Sequence, residues 1–106
     1  MKKILHFVEA TGTDEVTFPA DNVTAIQVVN DQALRIWFSN SDGQTNDSRI
    51  DITGITPADS AEEAADYFAT LVAPGGKGGI RSFKELDVLP VSTGPVLTTI
   101  AYTVGA

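Results

Sequence analysis

His6 is the single histidine of this 106-residue sequence, and so the one side chain suited to act as a general base near neutral pH. It stands between Leu5 and Phe7 in a stretch with the pattern of a strand, and no serine or carboxylate partner is obvious beside it. Nucleophilic catalysis needs a base in contact with both a nucleophile and an orienting group. Because the chain also has no cysteine, we expect that the protein is not an enzyme.

Acidic side chains gather where a helix is predicted to begin, and they could be imagined as metal ligands. They are Asp59, Glu62, Glu63 and Asp66. Helix N-termini favour carboxylates, however, since these cap free amides and face the positive end of the helix dipole. Asp59 with Glu62 has the spacing of one capping box, and Ser60 with Glu63 has that of a second. No other carboxylate pair is placed to oppose them, so we predict no metal site and no cofactor.

Two loops resemble ligand-binding motifs only in composition. Residues 42–47 (DGQTND) lack the alternating ligands and the closing glutamate of a calcium-binding EF-hand loop. Residues 75–79 (GGKGG) follow a predicted helix, whereas a phosphate-binding P-loop precedes one. We interpret the first as a turn and the second as a flexible linker.

Three basic residues, Lys77, Arg81 and Lys84, lie within eight positions and have Phe83 among them. Basic and aromatic side chains together bind single-stranded nucleic acid through phosphate attraction and base stacking. Trp37, two residues after an arginine, is a further aromatic predicted to be exposed. Arginine and aromatic residues are also enriched in protein interfaces. We favour a subunit contact here and keep RNA binding by the three basic residues as the alternative.

The net charge of −7, from 14 acidic and 7 basic residues, counts against broad binding to nucleic acid. The N-terminal stretch MKKILHFVEATG lacks the apolar region of a secretory signal, and no apolar run approaches the length of a membrane span. We therefore expect no membrane association and a location in the cytoplasm of a host cell or in a virus particle.

Alternation of apolar and polar residues predicts that the chain is mainly β. The organising element is a hairpin within residues 18–40, in which Leu34, Ile36 and Phe38 share the buried face. Further strands are predicted at 3–8, 15–18, 49–53, within 80–89 and at 96–104, and one helix at 59–73. With turns every 8–12 residues or so, this order predicts a single domain over residues 1–106. Its expected fold is a small bent barrel of five to seven strands, or a sandwich, with a helical insertion.

Residues 78–84 (GGIRSFK) resemble the second motif of Sm-like proteins, in which an Ile-Arg-Gly turn leads into the last strand pair. The acidic composition, FPADN before the hairpin and the β-branched last strand resemble small proteins of marine phages (cyanophages). The resemblance implies a bent barrel that forms rings by pairing edge strands, often with RNA bound. Of the family's site residues it assigns only Arg81 a counterpart here.

These observations predict a homo-oligomeric, ring-forming module that assembles through strands 3–8 and 96–104 and has RNA or another phage protein as its partner. The alternative is a minor virion component, such as a decoration or head–tail protein, that binds no nucleic acid. A third hypothesis is a module that binds a small molecule.

Overall fold

A computed structural model of the chain describes residues 3–9, 15–39, 47–74 and 78–103. Within these ranges the fold is mainly β with one α-helix, as predicted. The elements in order are β1 (Lys3–Val8), β2 (Glu15–Pro19), β3 (Val23–Asn30), β4 (Ala33–Phe38), β5 (Ser48–Thr53), α1 (Ala61–Val72), β6 (Gly79–Phe83), β7 (Asp87–Val88), β8 (Val96–Leu97) and β9 (Thr99–Thr103). A single helical turn, Ala20–Asn22, joins β2 to β3.

The strands form three separate sheets. A three-stranded sheet has the order β2-β1-β6, a four-stranded sheet has the order β3-β4-β5-β9, and β7 pairs with β8. All pairs are antiparallel except β1 with β6, which run parallel. Among the described residues none of these sheets closes on itself, so the expected barrel is not confirmed. Alternation indicates which face of a strand is buried, but not which strands are neighbours.

The hairpin at the centre of the sequence pattern forms as predicted. β3 and β4 pair antiparallel, with Ile26 opposite Ile36 and Gln27 opposite Arg35. Leu34, Ile36 and Phe38 are buried. Because neighbouring residues point to opposite faces, Arg35 and Trp37 lie on the outer face of the four-stranded sheet.

An aromatic cluster joins both large sheets to the helix. Phe7 of β1 stacks on Phe18 of β2 and on Phe83 of β6, with ring centroids 5.9 and 5.2 Å apart. Phe18 stacks at 3.9 Å on Phe38 of the four-stranded sheet. Phe68 of α1 contacts the ring of Phe83 edge-on at 5.0 Å. These five rings are almost fully buried, so one core covers the inner faces of both sheets.

The helix is shorter than predicted, and both predicted capping boxes are wrong. Asp59 has a positive φ of 66° and precedes the N-cap residue. Ser60 is the N-cap, but its hydroxyl donates to the carbonyl of Pro57 at 2.6 Å and not to a helix amide. The first helical amide, of Ala61, instead donates to the carbonyl of Asp31 in the β3–β4 turn. A tertiary contact therefore replaces the local cap that the spacing indicated.

The long strand predicted at residues 96–104 is two strands, β8 and β9, separated at Thr98. Leu97 and Ile100 are both buried, although strict alternation would place them on opposite faces. The break lets β8 pair with β7 while β9 pairs with β5. The predicted Val104 lies outside the described residues. The irregular stretch 80–89, where the sequence predicts two short strands or a strand and a turn, contains most of β6, a turn and β7.

Candidate functional site

The three predicted nucleic-acid-binding residues are only partly placed by the structure. Lys77 lies outside the described residues. Arg81 in β6 and Lys84 just after it are both exposed. Phe83, however, is 6% exposed and packs in the aromatic core, so it cannot stack on a base as expected. A role for these basic residues in nucleic-acid binding stays a prediction, without the aromatic partner assumed for it.

A second basic group lies on the outer face of the four-stranded sheet. Arg35 and Arg49 donate through Nε to the two oxygens of Asp51, at 2.7 and 2.9 Å. The Arg49 guanidinium also lies over the ring of Trp37, 5.5 Å from its centroid. Each arginine side chain is about one-third exposed (36% and 33%), so both guanidinium groups remain accessible to a ligand.

His6 has two polar partners, which contradicts its interpretation as a lone histidine. Its Nδ1 lies 3.0 Å from Ser82 Oγ, and its Nε2 lies 2.8 Å from Glu15 Oε1. Ser82, His6 and Glu15 come from three adjacent strands of the three-stranded sheet. We call them the Ser–His–Glu line. A serine, an imidazole and a carboxylate in hydrogen-bonding sequence are the elements of an activated nucleophile.

The parallel pairing of β1 with β6 creates this line. It places Ser82 directly opposite His6, and β2 brings Glu15 to the other side of the histidine ring. Ser82 lies 76 positions from His6 along the chain, and Glu15 lies 9 positions away. Sequence inspection missed the line because no local pattern indicates which distant strand lies beside β1.

The two ends of the four-stranded sheet differ in how their edges are protected. At the β9 edge, the Ile100 amide donates to Glu85 Oε2 at 3.1 Å and the Tyr102 amide donates to Glu9 Oε1 at 3.0 Å. Carboxylates thus occupy the amides that an added strand would need. β1, the other strand expected to pair between subunits, lies in the middle of its sheet with both neighbours present. The expected pairing through strand 3–8 is therefore wrong, whereas pairing through residues 96–104 stays a prediction, since β9 is an edge strand.

Among the described residues the β3 edge has no such carboxylates on its amides, although α1 packs against part of the strand, where Ala69 and Val72 lie beside Val23–Ile26. Its sequence, VTAIQVVN, contains no charged residue and no proline. Val28 and Val29 are 44% and 43% exposed. Across the part of the chain that the structure describes, no side chain bonds to a β3 amide. Uncharged edge strands with free amides are the usual sites of strand addition. Irregularities near both ends leave Ala25–Val28 as the regular part of the β3–β4 ladder.

The acidic helix start holds a loop in place. Glu63 Oε1 accepts hydrogen bonds from the Thr93 amide at 3.0 Å and from the Ser92 hydroxyl at 3.3 Å. The Thr93 amide lowers the pKa of Glu63, the hydroxyl bond adds to this, and partial desolvation opposes it. In the described ranges no three His, Asp or Glu side chains are grouped to bind a metal ion.

No helix within the described ranges is long and apolar enough to cross a membrane. Comparisons of the chain with protein-family models, with curated proteins and with solved structures found no match. The features that bear on function are therefore the edges of the four-stranded sheet, its outer face with Arg35 and Arg49, and the Ser–His–Glu line.

Proposed function

We propose that this chain is a self-associating β-sheet module that forms a symmetric dimer by pairing β3 with β3 of a second copy. The observation that carries the proposal is the contrast between the two edges of the four-stranded sheet. Glutamates occupy the amides of β9, whereas β3 is long and uncharged, and its second half, with Val28 and Val29, is exposed. Pairing two β3 strands would give one continuous eight-stranded antiparallel sheet.

Charge repulsion between two copies of the chain is weaker at the β3 edge than at the acidic parts of their surfaces. Two chains of net charge −7 repel each other wherever their acidic surfaces approach. An antiparallel β3–β3 pair brings no like charges opposite each other, because the strand has none. Exposed Val28 and Val29 add apolar area to the contact. The same patch meets itself across a two-fold axis, and the assembly is closed.

A closed ring needs two different edges that recognise each other. With β1 internal and β9 occupied by carboxylates, a two-fold dimer needs fewer rearrangements than the ring expected from the sequence. Ring formation, an Sm-like identity, a phage origin and a virion role stay predictions. A dimeric module is compatible with a structural role in a particle.

The molecular mass of the protein in solution tests whether the chain forms this dimer. We expect light scattering at high micromolar concentration to give twice the single-chain mass of 11.2 kDa. Val29→Lys places a charge on the edge and should give the single-chain mass, because a charged side chain on an edge strand disfavours strand addition. Ile80→Lys, on exposed Ile80 of the β6 edge, is the matched control and should remain dimeric. A wild-type mass of one chain, or an oligomer unaffected by Val29→Lys, would overturn the proposal.

A second candidate function, binding of single-stranded RNA, is favoured by the outer face that carries Arg35, Trp37 and Arg49. Guanidinium groups and an indole on an open sheet face suit phosphates and stacked bases. We expect a U-rich oligonucleotide to be retarded at about 50 mM salt and released as salt rises. Arg49→Ala should weaken binding more than Arg81→Ala. No retardation at low salt would exclude this function. A larger loss of binding for Arg81→Ala than for Arg49→Ala would place the binding site at β6.

A further inference from the structure

We infer that Ser82 is a reactive nucleophile, activated by His6 and oriented through it by Glu15, that accepts acyl groups from small esters. The activity is separate from self-association, since the three residues lie on the three-stranded sheet and not on β3. The juxtaposition of Ser82 Oγ, His6 Nδ1 and Glu15 Oε1 along one histidine ring carries the inference.

The hydrogen-bond chemistry of the line selects one arrangement of protons. An ionised Glu15 can only accept a hydrogen bond, so the ring nitrogen that faces it, Nε2, carries the proton. The neutral ring then presents an unprotonated Nδ1 to Ser82 Oγ at 3.0 Å. The hydroxyl donates to Nδ1, which is the state in which a histidine acts as a general base toward serine.

Access and charge indicate the class of substrate. Ser82 is exposed on β6, an edge strand, and the His6 side chain is 24% exposed, so an ester can approach the hydroxyl. A surface cavity of about 200 Å³ is lined by Ser82 together with Arg81 and Tyr67. Arg81 points to the opposite face of β6 from Ser82, and Asp87 lines the same cavity, so the surroundings of the nucleophile carry charges of both signs. A small uncharged acyl group is therefore the favoured substrate.

The reaction follows from the contacts. Ser82 Oγ attacks the ester carbonyl carbon as its proton moves to His6 Nδ1. The carbon–oxygen bond to the leaving alcohol then breaks, and that alcohol takes the proton from Nδ1. Ser82 is left as an ester, the histidine is neutral again, and Glu15 remains ionised throughout. Hydrolysis of the acyl serine by water, with His6 again as the base, would complete a turnover.

The experiment uses para-nitrophenyl acetate on the full chain. We expect release of nitrophenolate and an acyl group on Ser82, located by peptide mass spectrometry. Ser82→Ala should abolish that adduct. His6→Gln should slow its formation by about a hundredfold, as loss of a general base does. Arg81→Gln, on the opposite face of β6, should leave the acylation rate nearly unchanged. Equal acylation rates with and without His6, or no adduct on Ser82, would overturn the inference.

Two further measurements distinguish activation of the Ser82 hydroxyl by His6 from simple exposure of that hydroxyl to solvent. Ser92 is also exposed and bonds to a carboxylate, but it contacts no histidine, so it should acquire far less acyl group than Ser82. Glu15→Gln should slow acylation and change the nitrogen NMR shifts of the His6 ring, which report the tautomer. An unchanged tautomer would remove Glu15 from the mechanism. The Val29→Lys chain should react like the wild type, so failure of the dimer leaves this test intact.

Discussion

At the scale of single residues, Glu63 shows how one side chain can have a role other than the one its position indicates. It stands in the first turn of α1, where a carboxylate is expected to cap the helix. Instead its carboxylate accepts two hydrogen bonds from the loop at residues 92–93. The acidic start of the helix therefore helps to position a loop that lies 30 positions further along the chain.

Replacing Glu63 by Gln should reduce stability near neutral pH and have little effect in acid. Because the pKa of Glu63 is lowered in the folded state, its stabilisation is present above the unfolded pKa and is lost as pH falls through the folded value. Thermal melts of both proteins from about pH 7 to about pH 3 should converge at the acid end. Glu62→Gln, an equal charge change at an exposed neighbour, should show no such convergence. A constant difference across the range would contradict the prediction.

At the scale of elements, α1 is held at both ends by contacts from distant parts of the chain. Its first amide donates to the carbonyl of Asp31 in the hairpin turn. Near its C-terminus, Lys3 Nζ donates to the carbonyls of Leu71 and Ala73, both at 2.8 Å. The ammonium faces the negative end of the helix dipole, where a cation is favourable. The helix is thus secured mainly by tertiary contacts.

Lys3→Met should lower the free energy of unfolding by about 1 kcal/mol, since it removes a charge from the C-terminal end of α1 and leaves two carbonyls without their donor. Urea unfolding followed by circular dichroism would measure the loss. Lys84→Met removes the same charge from an exposed side chain and should change stability much less. Equal effects of the two substitutions would show that net charge, and not the helix contact, is responsible.

The junction between β5 and the following loop depends on Gly54, which has a φ of 66°. Gly54→Ala should cost about 1–2 kcal/mol for the left-handed backbone, with a further cost because its Cβ would lie 3.2 Å from Thr98 Cβ. Gly94→Ala has a similar φ of 57° but a looser contact of 3.4 Å with Val88. Chemical denaturation should therefore show the larger loss for Gly54. The opposite order would mean that Thr98 moves aside freely.

At the scale of the whole molecule, the two sheets share one aromatic core but differ in what they expose. The four-stranded sheet presents arginines and Trp37 outward, has carboxylates on the amides of β9 and leaves Val28 and Val29 of the uncharged β3 edge exposed. The three-stranded sheet presents the Ser–His–Glu line. The proposed self-association through β3 and the proposed acyl transfer at the Ser–His–Glu line therefore involve different surfaces.

Removing both carboxylates from the β9 edge, as Glu9→Ala with Glu85→Ala, should convert a limited oligomer into an open-ended one. The substitutions free the amides of Ile100 and Tyr102, so each chain gains a second edge for strand addition. Light scattering should then rise with concentration and time. Glu62→Ala with Asp66→Ala removes two exposed charges from α1 and should leave scattering unchanged. If both double variants aggregate alike, loss of net charge is the cause.

Local patterns predicted much of the fold because alternation depends on nearby residues. β1, β2, the β3–β4 hairpin and β5 all follow from it. The break at Thr98 was not predictable, since residues 96–104 are nearly all β-branched or aromatic and read as one strand. The partners of His6 and the carboxylates on β9 depend on contacts across the whole chain. For this reason the elements could be predicted well, whereas the candidate sites could not.

The parallel junction of β1 with β6 also bears on how the chain is synthesised and folds. A hairpin such as β3–β4 can form as soon as its residues leave the ribosome. The contact of His6 with Ser82 forms only after a further 76 residues have been synthesised. Contacts of such long sequence separation slow folding, because the intervening loop has to be ordered first. Until then the inner face of the first strand, with Leu5 and Phe7, has no β6 beside it. A nascent chain halted before β6 should therefore be a good client for a chaperone that binds apolar segments.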